Sequence, residues 1–552
     1  MIVERGVSIP MRDGVRLHAD VYRPDDGTPV PAVLNRTPYD RSLRLTPLAA
    51  LDPDTAAAEG FALVCQDVRG RHGSGGEFYP FGGEGADGYD SVEWVAAQPW
   101  CNGAVTMAGR SYSAETQWLA AAERPPHLRA IAPVVTGCGH YDNWVYQGGA
   151  FQLGFNLFWV QLISGLRGSL RDHYRHLPIT SPPVLDGVPA RRFYRDWLAH
   201  PTNDEFWRRA TIRGRHGCVG VPALIVGGWY DLLLAGTLEN FVRLRLEGAS
   251  PAAREGTRLL IGPWAHGSTY GPYPDHSFDA SARADVVDLV RLQLDFFARQ
   301  LAGEKPAPEE APVRIFVMGA NRWREEEDWP LARARATRWF LRAGGDGGDG
   351  RLSRQPPSEE APDEFLYDPR DPAPTIGGPT SLPARLMRTN SGPLDQRLLE
   401  ARGDVLVYSS DPLPRPLEVT GPLSVVVHAA TSGHDTDFVA KLCDVAPDGF
   451  SRILAEGVLR GCFVHGFDAP RPLEPGRAYE YTIDLVATSN VFLAGHRIRL
   501  LVTSSSFPRF DRNSNSGKAF EDVRDDDLEI ARQSIFHDAA RPSHVLLPLV
   551  EH

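Results

Sequence analysis

The sequence Ala-Val-Thr-Met-Ala-Gly-Arg-Ser-Tyr-Ser-Ala at residues 104–114 decides the fold, and a helix-forming stretch follows it to Ala122. An apolar run, a tight turn framed by small residues and then a helix form the layout of a nucleophile elbow. Small residues are needed in the turn because the strand and the helix approach closely there. The turn lifts one serine hydroxyl, here that of Ser111, above the end of a parallel strand. This pattern predicts an enzyme that carries an acid and a histidine later in the chain, in that order.

Two later strand ends supply the acid and the histidine. Asp231 closes an apolar run that starts at Pro222, and His266 comes soon after the last apolar run, Arg258–Ile261. Because parallel strands end at the same edge of a sheet, both side chains are expected near Ser111. A histidine can act as the base because its ordinary pKa lies near the working pH, and the acid orients its ring. A simple helix cap is the alternative for Asp231, but the order Ser, Asp, His at three strand ends favours a triad.

The oxyanion that forms during acyl transfer needs two hydrogen-bond donors. The backbone N–H of Tyr112, the residue after the serine, supplies one in this type of turn. The second usually comes from an early, often glycine-rich loop, but residues 35–40 read Asn-Arg-Thr-Pro-Tyr-Asp and contain no glycine. A phenol can replace the missing amide, so Tyr39 is the candidate donor. The alternative is a tyrosine whose ring only packs in the core.

The rest of the sequence divides into three kinds of structure. Apolar runs such as Phe61–Cys65 and Leu128–Val135 alternate with helix-like stretches, which predicts a parallel sheet covered on both faces. Residues 139–212 interrupt this alternation and are rich in Trp, Phe and Tyr. We predict that they form a helical cap over the serine, with a peripheral decoration as the alternative. Beyond about residue 330, short alternating strands with Gly/Pro turns predict a β-sandwich or jelly roll.

Composition narrows the class of protein. A chain of 552 residues exceeds what one core usually supports, and its net charge of −12 argues against nucleic acid as a partner. No apolar run approaches the ~18 residues of a membrane helix and no signal segment is visible, so we expect a cytoplasmic protein with no membrane partner. The six cysteines are scattered, and no Cys/His cluster has zinc spacing. We therefore expect neither a disulfide framework nor a metal site, and no cofactor is implied.

Longer motifs extend this interpretation. They are RTPYD at residues 36–40, QDVRGRHGSGGEF from Gln66, GGWYD at 227–231, GPWAHG at 262–267 and TSNVFLAGHRI from Thr488. In these motifs the sequence resembles, nearly end to end, the family of bacterial cocaine esterases, X-prolyl dipeptidyl peptidases and α-amino acid ester hydrolases. The resemblance implies that Ser111, Asp231 and His266 form the triad and that Tyr39 binds the oxyanion. It also implies an α/β-hydrolase domain in two parts, 1–138 and 213–329, a helical cap at 139–212 and a C-terminal all-β jelly-roll domain at 330–552.

The resemblance also suggests which residues line the substrate pocket. Trp144 and Trp159, both in the predicted cap, match aromatic residues that line the acyl pocket of the cocaine esterases. Leu386 and Met387 fall near another pocket-lining segment. We add Leu232, which follows the triad aspartate, to the predicted pocket. The alternative for the two tryptophans is that they only form the core of the cap.

Two departures limit what the resemblance transfers. Ala114 ends the elbow where relatives usually carry glycine. The α-amino acid ester hydrolases have extra acids next to the triad aspartate to hold a substrate ammonium, whereas Leu232–Leu234 follow Asp231 here. The expected function is therefore a serine carboxylic-ester hydrolase that forms an acyl-enzyme and prefers a bulky or aromatic acyl group.

Two other functions stay open. An X-Pro dipeptidyl peptidase, or an α-amino acid ester hydrolase or acyltransferase, could use the same triad. A binding protein with a vestigial hydrolase site is a more remote alternative. The expected partner is a small-molecule ester, and we expect a homodimer because relatives commonly self-associate.

Overall fold

The structure, a computed structural model, describes residues 1–43, 51–269, 273–304, 307, 310–344, 349–383 and 389–551. Leu386 and Met387, which we predicted near the pocket, lie outside the described residues. No helix within these ranges is long and apolar enough to cross a membrane.

A sheet of ten strands, most of them parallel, forms the N-terminal part of the described chain. The strands up to residue 326 are β1 (Ile2–Pro10), β2 (Arg16–Arg23), β3 (Val30–Thr37), β4 (Ala62–Asp67), β5 (Cys101–Arg110), β6 (Leu128–Val134), β7 (Tyr146–Gln147), β8 (Ala150–Phe151), β9 (Leu224–Tyr230), β10 (Arg258–Ala265), β11 (Val313–Val317) and β12 (Arg322–Glu326). All except β7 and β8 belong to the sheet, in the order β1-β2-β4-β3-β5-β6-β9-β10-β11-β12. The strands from β4 to β11 in that order are parallel, so the residues that follow β3, β5, β9 and β10 meet at one edge.

Helices cover both faces of this sheet because its strands are apolar on both faces. The α-helices of the described chain are α1 (Pro53–Ala58), α2 (Glu84–Ala96), α3 (Tyr112–Ala122), α4 (Leu153–Ile163), α5 (Arg191–Ala199), α6 (Glu205–Arg208), α7 (Leu234–Glu247), α8 (Pro251–Gly256), α9 (Ala284–Val287), α10 (Leu289–Leu301) and α11 (Arg397–Glu400). Of these, α4, α5 and α6 belong to the insertion between β6 and β9, and α11 belongs to the C-terminal part. Leu34 of β3 belongs to the same buried cluster as Trp118 of α3. Its neighbour Val33 belongs to the cluster that contains Phe297 of α10. Successive residues of one strand thus pack on opposite layers of helices.

The start of α2 differs from the sequence prediction. In the sequence, Val92, Val95 and Ala96 share one face and predict a helix over residues 89–97, whereas α2 begins at Glu84. Glu84 and Asp87 are buried in its first turn, where they pair with Arg36 and Arg69. Charged residues that pair inside the protein give no apolar periodicity, so the pattern placed the start of the helix too late.

The insertion between β6 and β9 forms a cap made mainly of the helices α4, α5 and α6. A π-helical turn, Tyr141–Val145, and the short hairpin β7–β8 precede α4. The sequence did not reveal this hairpin, because each of its strands has only two residues. The apolar face of α5 is buried in the cap through Phe193, Tyr194, Trp197 and Leu198. The core of the cap is therefore largely aromatic.

The C-terminal part of the described chain is all-β. Its strands are β13 (Arg335–Arg342), β14 (Gly350–Ser353), β15 (Asp363–Tyr367), β16 (Gly378–Pro383), β17 (Thr389–Gly392), β18 (Val405–Ser409), β19 (Leu417–Thr431), β20 (Asp437–Val445), β21 (Ser451–Arg460), β22 (Tyr479–Phe492), β23 (Arg497–Thr503), β24 (Ala531–Phe536) and β25 (His544–Val550). The long strand β19 pairs with β22, β24 and β25. Every residue of β21 is buried, because this strand pairs with β20, packs against β22 and also contacts β7, β8 and β9 of the N-terminal part. The predicted fold class, an α/β domain with a cap and an all-β domain, is confirmed.

Candidate active site

The turn between β5 and α3 holds Ser111 in a strained conformation. Ser111 has φ 56° and ψ −122°, a positive φ that residues other than glycine rarely adopt, and its N–H donates to Val134 O at 2.9 Å. Gly109 provides the space for this turn: a Cβ there would lie 2.5 Å from Asn35 Nδ2 and 2.7 Å from Ser113 Cβ. The surrounding backbone thus fixes the serine at the end of its strand, in the geometry expected of an elbow.

The serine, histidine and aspartate lie within hydrogen-bonding distance of one another. His266 Nε2 is 2.9 Å from Ser111 Oγ, and His266 Nδ1 is 3.0 Å from Asp231 Oδ2. Because an ionised carboxylate can only accept, Nδ1 carries the proton and the Nε2 lone pair faces the serine hydroxyl. Asp231 is buried and also accepts from Leu233 N at 2.7 Å, whereas Ser111 and His266 are partly exposed. Leu233, not Asp231, occupies the N-cap position of α7.

Tyr39 brings its hydroxyl to the same place. Its ring is half-buried, and its hydroxyl accepts a hydrogen bond from Trp159 Nε1 at 2.9 Å and is also hydrogen-bonded to Ser111. Burial raises the pKa of the Tyr39 phenol to about 12, although the hydrogen bonds with Trp159 and Ser111 and the charge of Arg71 act in the opposite direction. The phenol is therefore protonated at neutral pH and has a proton to donate.

Tyr112 offers a backbone donor directly beside Ser111. It is the first residue of α3, so its N–H has no acceptor within the helix. Its side chain is fully buried: the hydroxyl donates to Glu84 Oε1 at 2.8 Å and accepts from Phe81 N at 3.0 Å. Two hydrogen bonds at the Tyr112 hydroxyl thus hold in place the residue whose backbone N–H is the candidate donor.

An aromatic cluster connects the cap to the triad. The rings of Trp144 and Trp159 are edge-to-face with centroids 5.6 Å apart, and the Trp159 ring lies nearly parallel to that of Tyr112 at 6.1 Å. Phe155 contacts Trp144 at 5.5 Å and His266 at 5.9 Å, both edge-to-face. Sequence analysis missed Phe155, although its spacing of four residues from Trp159 puts both on one face of α4. Trp159 therefore contacts the catalytic candidates Tyr39 and Tyr112 directly, whereas Phe155 lies between Trp144 and His266.

Leu232 belongs to the same buried apolar cluster as Trp144 and Trp159. With Asp231 it also lines a cavity of about 550 Å³ between the cap, α7 and the all-β domain. Asp142 and Glu239 lie on the wall of this cavity, where both pair with Arg213 at 2.6 and 2.5 Å. Leu232 thus belongs both to the apolar cluster of the predicted pocket and to the wall of the cavity between the domains.

Other supporting residues were also not singled out from the sequence. Arg110 Nη2 donates to the carbonyl oxygen of His266 at 2.9 Å and so ties the histidine to the elbow. Glu84, which holds the Tyr112 hydroxyl, is itself paired with Arg36 at 2.8 Å. Burial raises the pKa of Glu84 against the effect of this arginine. In the part of the chain that the structure describes, no three His, Cys, Asp or Glu side chains are grouped as metal ligands would be.

Comparison with known families and proteins covers nearly the whole chain. Residues 13–268 match the family X-Pro dipeptidyl-peptidase (S15 family), and residues 307–546 match the X-Pro dipeptidyl-peptidase C-terminal non-catalytic domain. A cocaine esterase from Rhodococcus sp. is 37% identical over 580 residues, which cover 100% of this chain and 99% of that protein. All three triad candidates fall inside the first family match.

Solved structures share the complete architecture. An aminopeptidase from a marine sediment Thaumarchaeota archaeon is 28% identical with a TM-score of 0.88, covering 100% of this chain and 97% of that one. An α-amino acid ester hydrolase is 27% identical with a TM-score of 0.86, covering 99% of this chain and 96% of that one. The likeness therefore extends over the α/β domain, the cap and the all-β domain together.

Proposed function

The chain belongs to the X-Pro dipeptidyl-peptidase (S15) family of serine hydrolases, and from this premise we propose that it is a carboxylic-ester hydrolase that forms an acyl-enzyme. The observation that carries the proposal is the hydrogen-bonded series Asp231–His266–Ser111, with its serine held at a strained turn. A serine hydroxyl is a poor nucleophile until a neighbouring base takes its proton. This series supplies that base and orients it.

In the proposed reaction, His266 Nε2 takes the proton of Ser111 while the serine oxygen attacks the ester carbonyl. Asp231 keeps the histidine in the required tautomer and stabilises its cation. The histidine then gives the proton to the leaving alcohol, and the acyl group stays on the serine. A water molecule repeats the cycle and releases the acid.

The negative charge on the carbonyl oxygen needs donors that are already in position. We assign this role to the Tyr112 N–H and the Tyr39 hydroxyl. Trp159 donates to the Tyr39 oxygen, which leaves the phenolic proton for another acceptor. The first residue of α3 adds the favourable field of a helix N-terminus.

We further propose that the acyl group is bulky or aromatic. Trp144, Trp159 and Phe155 form the aromatic cluster beside the triad, and Leu232 belongs to the same apolar cluster as the two tryptophans. Aromatic rings prefer such edge-to-face or offset contacts, which an aromatic acyl group can also make. The small-molecule ester, the homodimer and the cytoplasmic location expected from the sequence are part of the same proposal.

A dipeptidyl or amino-acyl hydrolase with the same triad is the second candidate. The family description and the two solved neighbours favour it. Such an enzyme must hold a substrate ammonium, usually with a carboxylate. On the cavity wall beside Leu232, Asp142 and Glu239 pair with Arg213, and Asp484 accepts from Val486 N. We rank this candidate below the esterase because apolar residues, Leu232–Leu234, follow Asp231 where α-amino acid ester hydrolases carry acids.

The decisive experiment compares 4-nitrophenyl acetate and benzoate with an X-Pro-4-nitroanilide and an amino-acyl 4-nitroanilide. We expect both esters to be hydrolysed well and the benzoate to have the higher kcat/KM. Ser111→Ala should lose about 10³-fold or more in kcat, as removal of a triad member does. Phenylmethylsulfonyl fluoride should modify Ser111 stoichiometrically, as read by mass spectrometry. An adduct on another residue, or faster hydrolysis of an anilide than of either ester, would reject the proposal.

A further inference from the structure

We propose that Arg71 is a positioning residue that ties the loop of Tyr39 to the cap helix of Trp159 and so holds the Tyr39 hydroxyl in place. This inference rests on the proposed function, because it concerns the proposed oxyanion donor. Arg71 lies in the segment that follows β4, and sequence analysis gave it no role.

The guanidinium of Arg71 bridges two segments of backbone. Its Nε donates to Pro38 O at 3.0 Å, and its Nη2 donates to Ile163 O at 2.7 Å. Pro38 directly precedes Tyr39, and Ile163 is the last residue of α4, one helical turn after Trp159. One side chain thus fixes the distance between the loop that carries the phenol and the helix that carries its partner.

Both carbonyl contacts are physically favourable. The carbonyl oxygens in the last turn of a helix have no partner within the helix, and a cation there also interacts well with the helix dipole. A planar guanidinium can serve two acceptors at once, which a lysine ammonium does less well. The Arg71 guanidinium also lies 5.2 Å from the centre of the Phe78 ring, which restrains it further.

The hydrogen bond between Tyr39 and Trp159 is the contact that this bridge protects. An indole N–H can only donate, so the Tyr39 oxygen accepts and the phenolic proton stays available for the oxyanion. If the cap helix moved away by even about 1 Å, this bond would lengthen and the phenol would lose its fixed direction. The charge of Arg71 also acts on the Tyr39 phenol, where it favours the ionised form and so strengthens the phenol as a donor.

The test is a double-mutant cycle on the hydrolysis of 4-nitrophenyl benzoate. Arg71→Met removes both donors, and Arg71→Lys keeps the charge but not the fork. Each is made in the wild-type and in the Tyr39→Phe background. Tyr39→Phe alone should lower kcat by about 10²–10³-fold, since one oxyanion donor is lost. Arg71→Met should lower kcat by about 10-fold or more with KM within about threefold, and Arg71→Lys should lie between it and wild type.

The effect of Arg71 should disappear when Tyr39 has no hydroxyl to position. In the Tyr39→Phe background we therefore expect Arg71→Met to cost less than about threefold in kcat, which is the signature of residues that act together. Arg192→Met is the control, because the Arg192 side chain is exposed and pairs at the surface with the exposed Glu77. It should give the same small effect on kcat in both backgrounds.

Two results would overturn the inference about Arg71 without contradicting the proposed esterase function. One is an equal loss of kcat from Arg71→Met in both backgrounds, and the other is no loss in a folded variant. If Arg71→Met does not fold, Arg71→Lys decides in the same way. If Tyr39→Phe itself keeps the wild-type kcat, the role of Tyr39 as oxyanion donor and the role of Arg71 in positioning it are both rejected. In that case the loss of activity in Ser111→Ala still separates this failure from failure of the proposed function.

Discussion

The elbow and the cap of this protein are held in place in different ways. The elbow is fixed by neighbours in its own domain, through the bond from Ser111 N to Val134 O and the close contact at Gly109. The hairpin that leads into the cap helix α4 is held by the all-β domain. Phe151 N donates to Asp511 Oδ1 at 2.8 Å across 360 residues of sequence, and Asp511 N donates back to Phe151 O at 3.0 Å. The proposed nucleophile is thus positioned by contacts within one domain, whereas the proposed pocket wall depends on contacts between two domains.

Buried ion pairs lie where the all-β domain contacts the cap hairpin. Arg460 pairs with Asp437 at 2.8 Å and with Asp511 at 2.9 Å, and all three side chains are almost fully buried. Its backbone N–H also donates to Gly148 O in the hairpin at 2.8 Å. Buried ion pairs add little net stability but cost much when one partner is removed. The all-β domain therefore holds the cap through contacts that are specific and difficult to replace.

The largest expected effect concerns the elbow side. Asp231→Asn leaves the shape of the side chain but removes the charge that fixes the His266 tautomer. We expect kcat to fall by about 10⁴-fold with little change in the melting temperature. Steady-state kinetics with 4-nitrophenyl benzoate and a thermal melt measure both. A variant with nearly wild-type kcat would show that another acid orients the ring.

A substitution where the all-β domain contacts the cap hairpin should lower both stability and selectivity between the two esters. Asp511→Ala removes the acceptor of Phe151 N and one partner of Arg460, so we expect the free energy of unfolding to fall by about 3 kcal/mol or more. The displaced pocket wall should lower kcat/KM for the benzoate by about 10-fold, and more than for the acetate. Modification of Ser111 by methanesulfonyl fluoride, which has no aromatic group, should continue at a similar rate.

Asp411→Ala is the control for this change, since the Asp411 side chain is 81% exposed in the same domain. It should alter neither stability nor selectivity measurably. If Asp511→Ala lowered kcat/KM for acetate and benzoate by the same factor, the all-β domain would act only on stability.

The smallest expected effect concerns the pocket wall itself. Trp144→Leu should lower the ratio of kcat/KM for benzoate over acetate by about 2- to 10-fold, because an aromatic contact contributes roughly 0.5–1.5 kcal/mol. Trp207→Leu serves as the matched control: Trp207 is a second buried cap tryptophan, whose Nε1 donates to His200 O at 3.0 Å. An equal change of the ratio in both variants would mean that Trp144 is only part of the core of the cap.

The ends of the parallel strands are the part of the candidate site that sequence patterns could predict. Ser111, Asp231 and His266 could be chosen because each follows an apolar strand, and parallel strands of one sheet must end together. The hairpin β7–β8 could not be found in this way, since two-residue strands have no periodicity. Glu84 was not singled out for a related reason: a buried charge cannot be told from a surface charge until its partner is known.

The sequence by itself determined the class of fold and the order of the triad candidates. Both depend on local patterns, namely apolar runs, turn residues and the residue that ends each strand. Only the tertiary structure decided the contacts of Tyr39 with Trp159, of Arg71 with the end of α4, and of the cap hairpin with Asp511. The physical reason is that each of these bonds joins segments far apart in the chain. A side chain's type states what it can bind, but only packing determines which partner comes within about 3 Å.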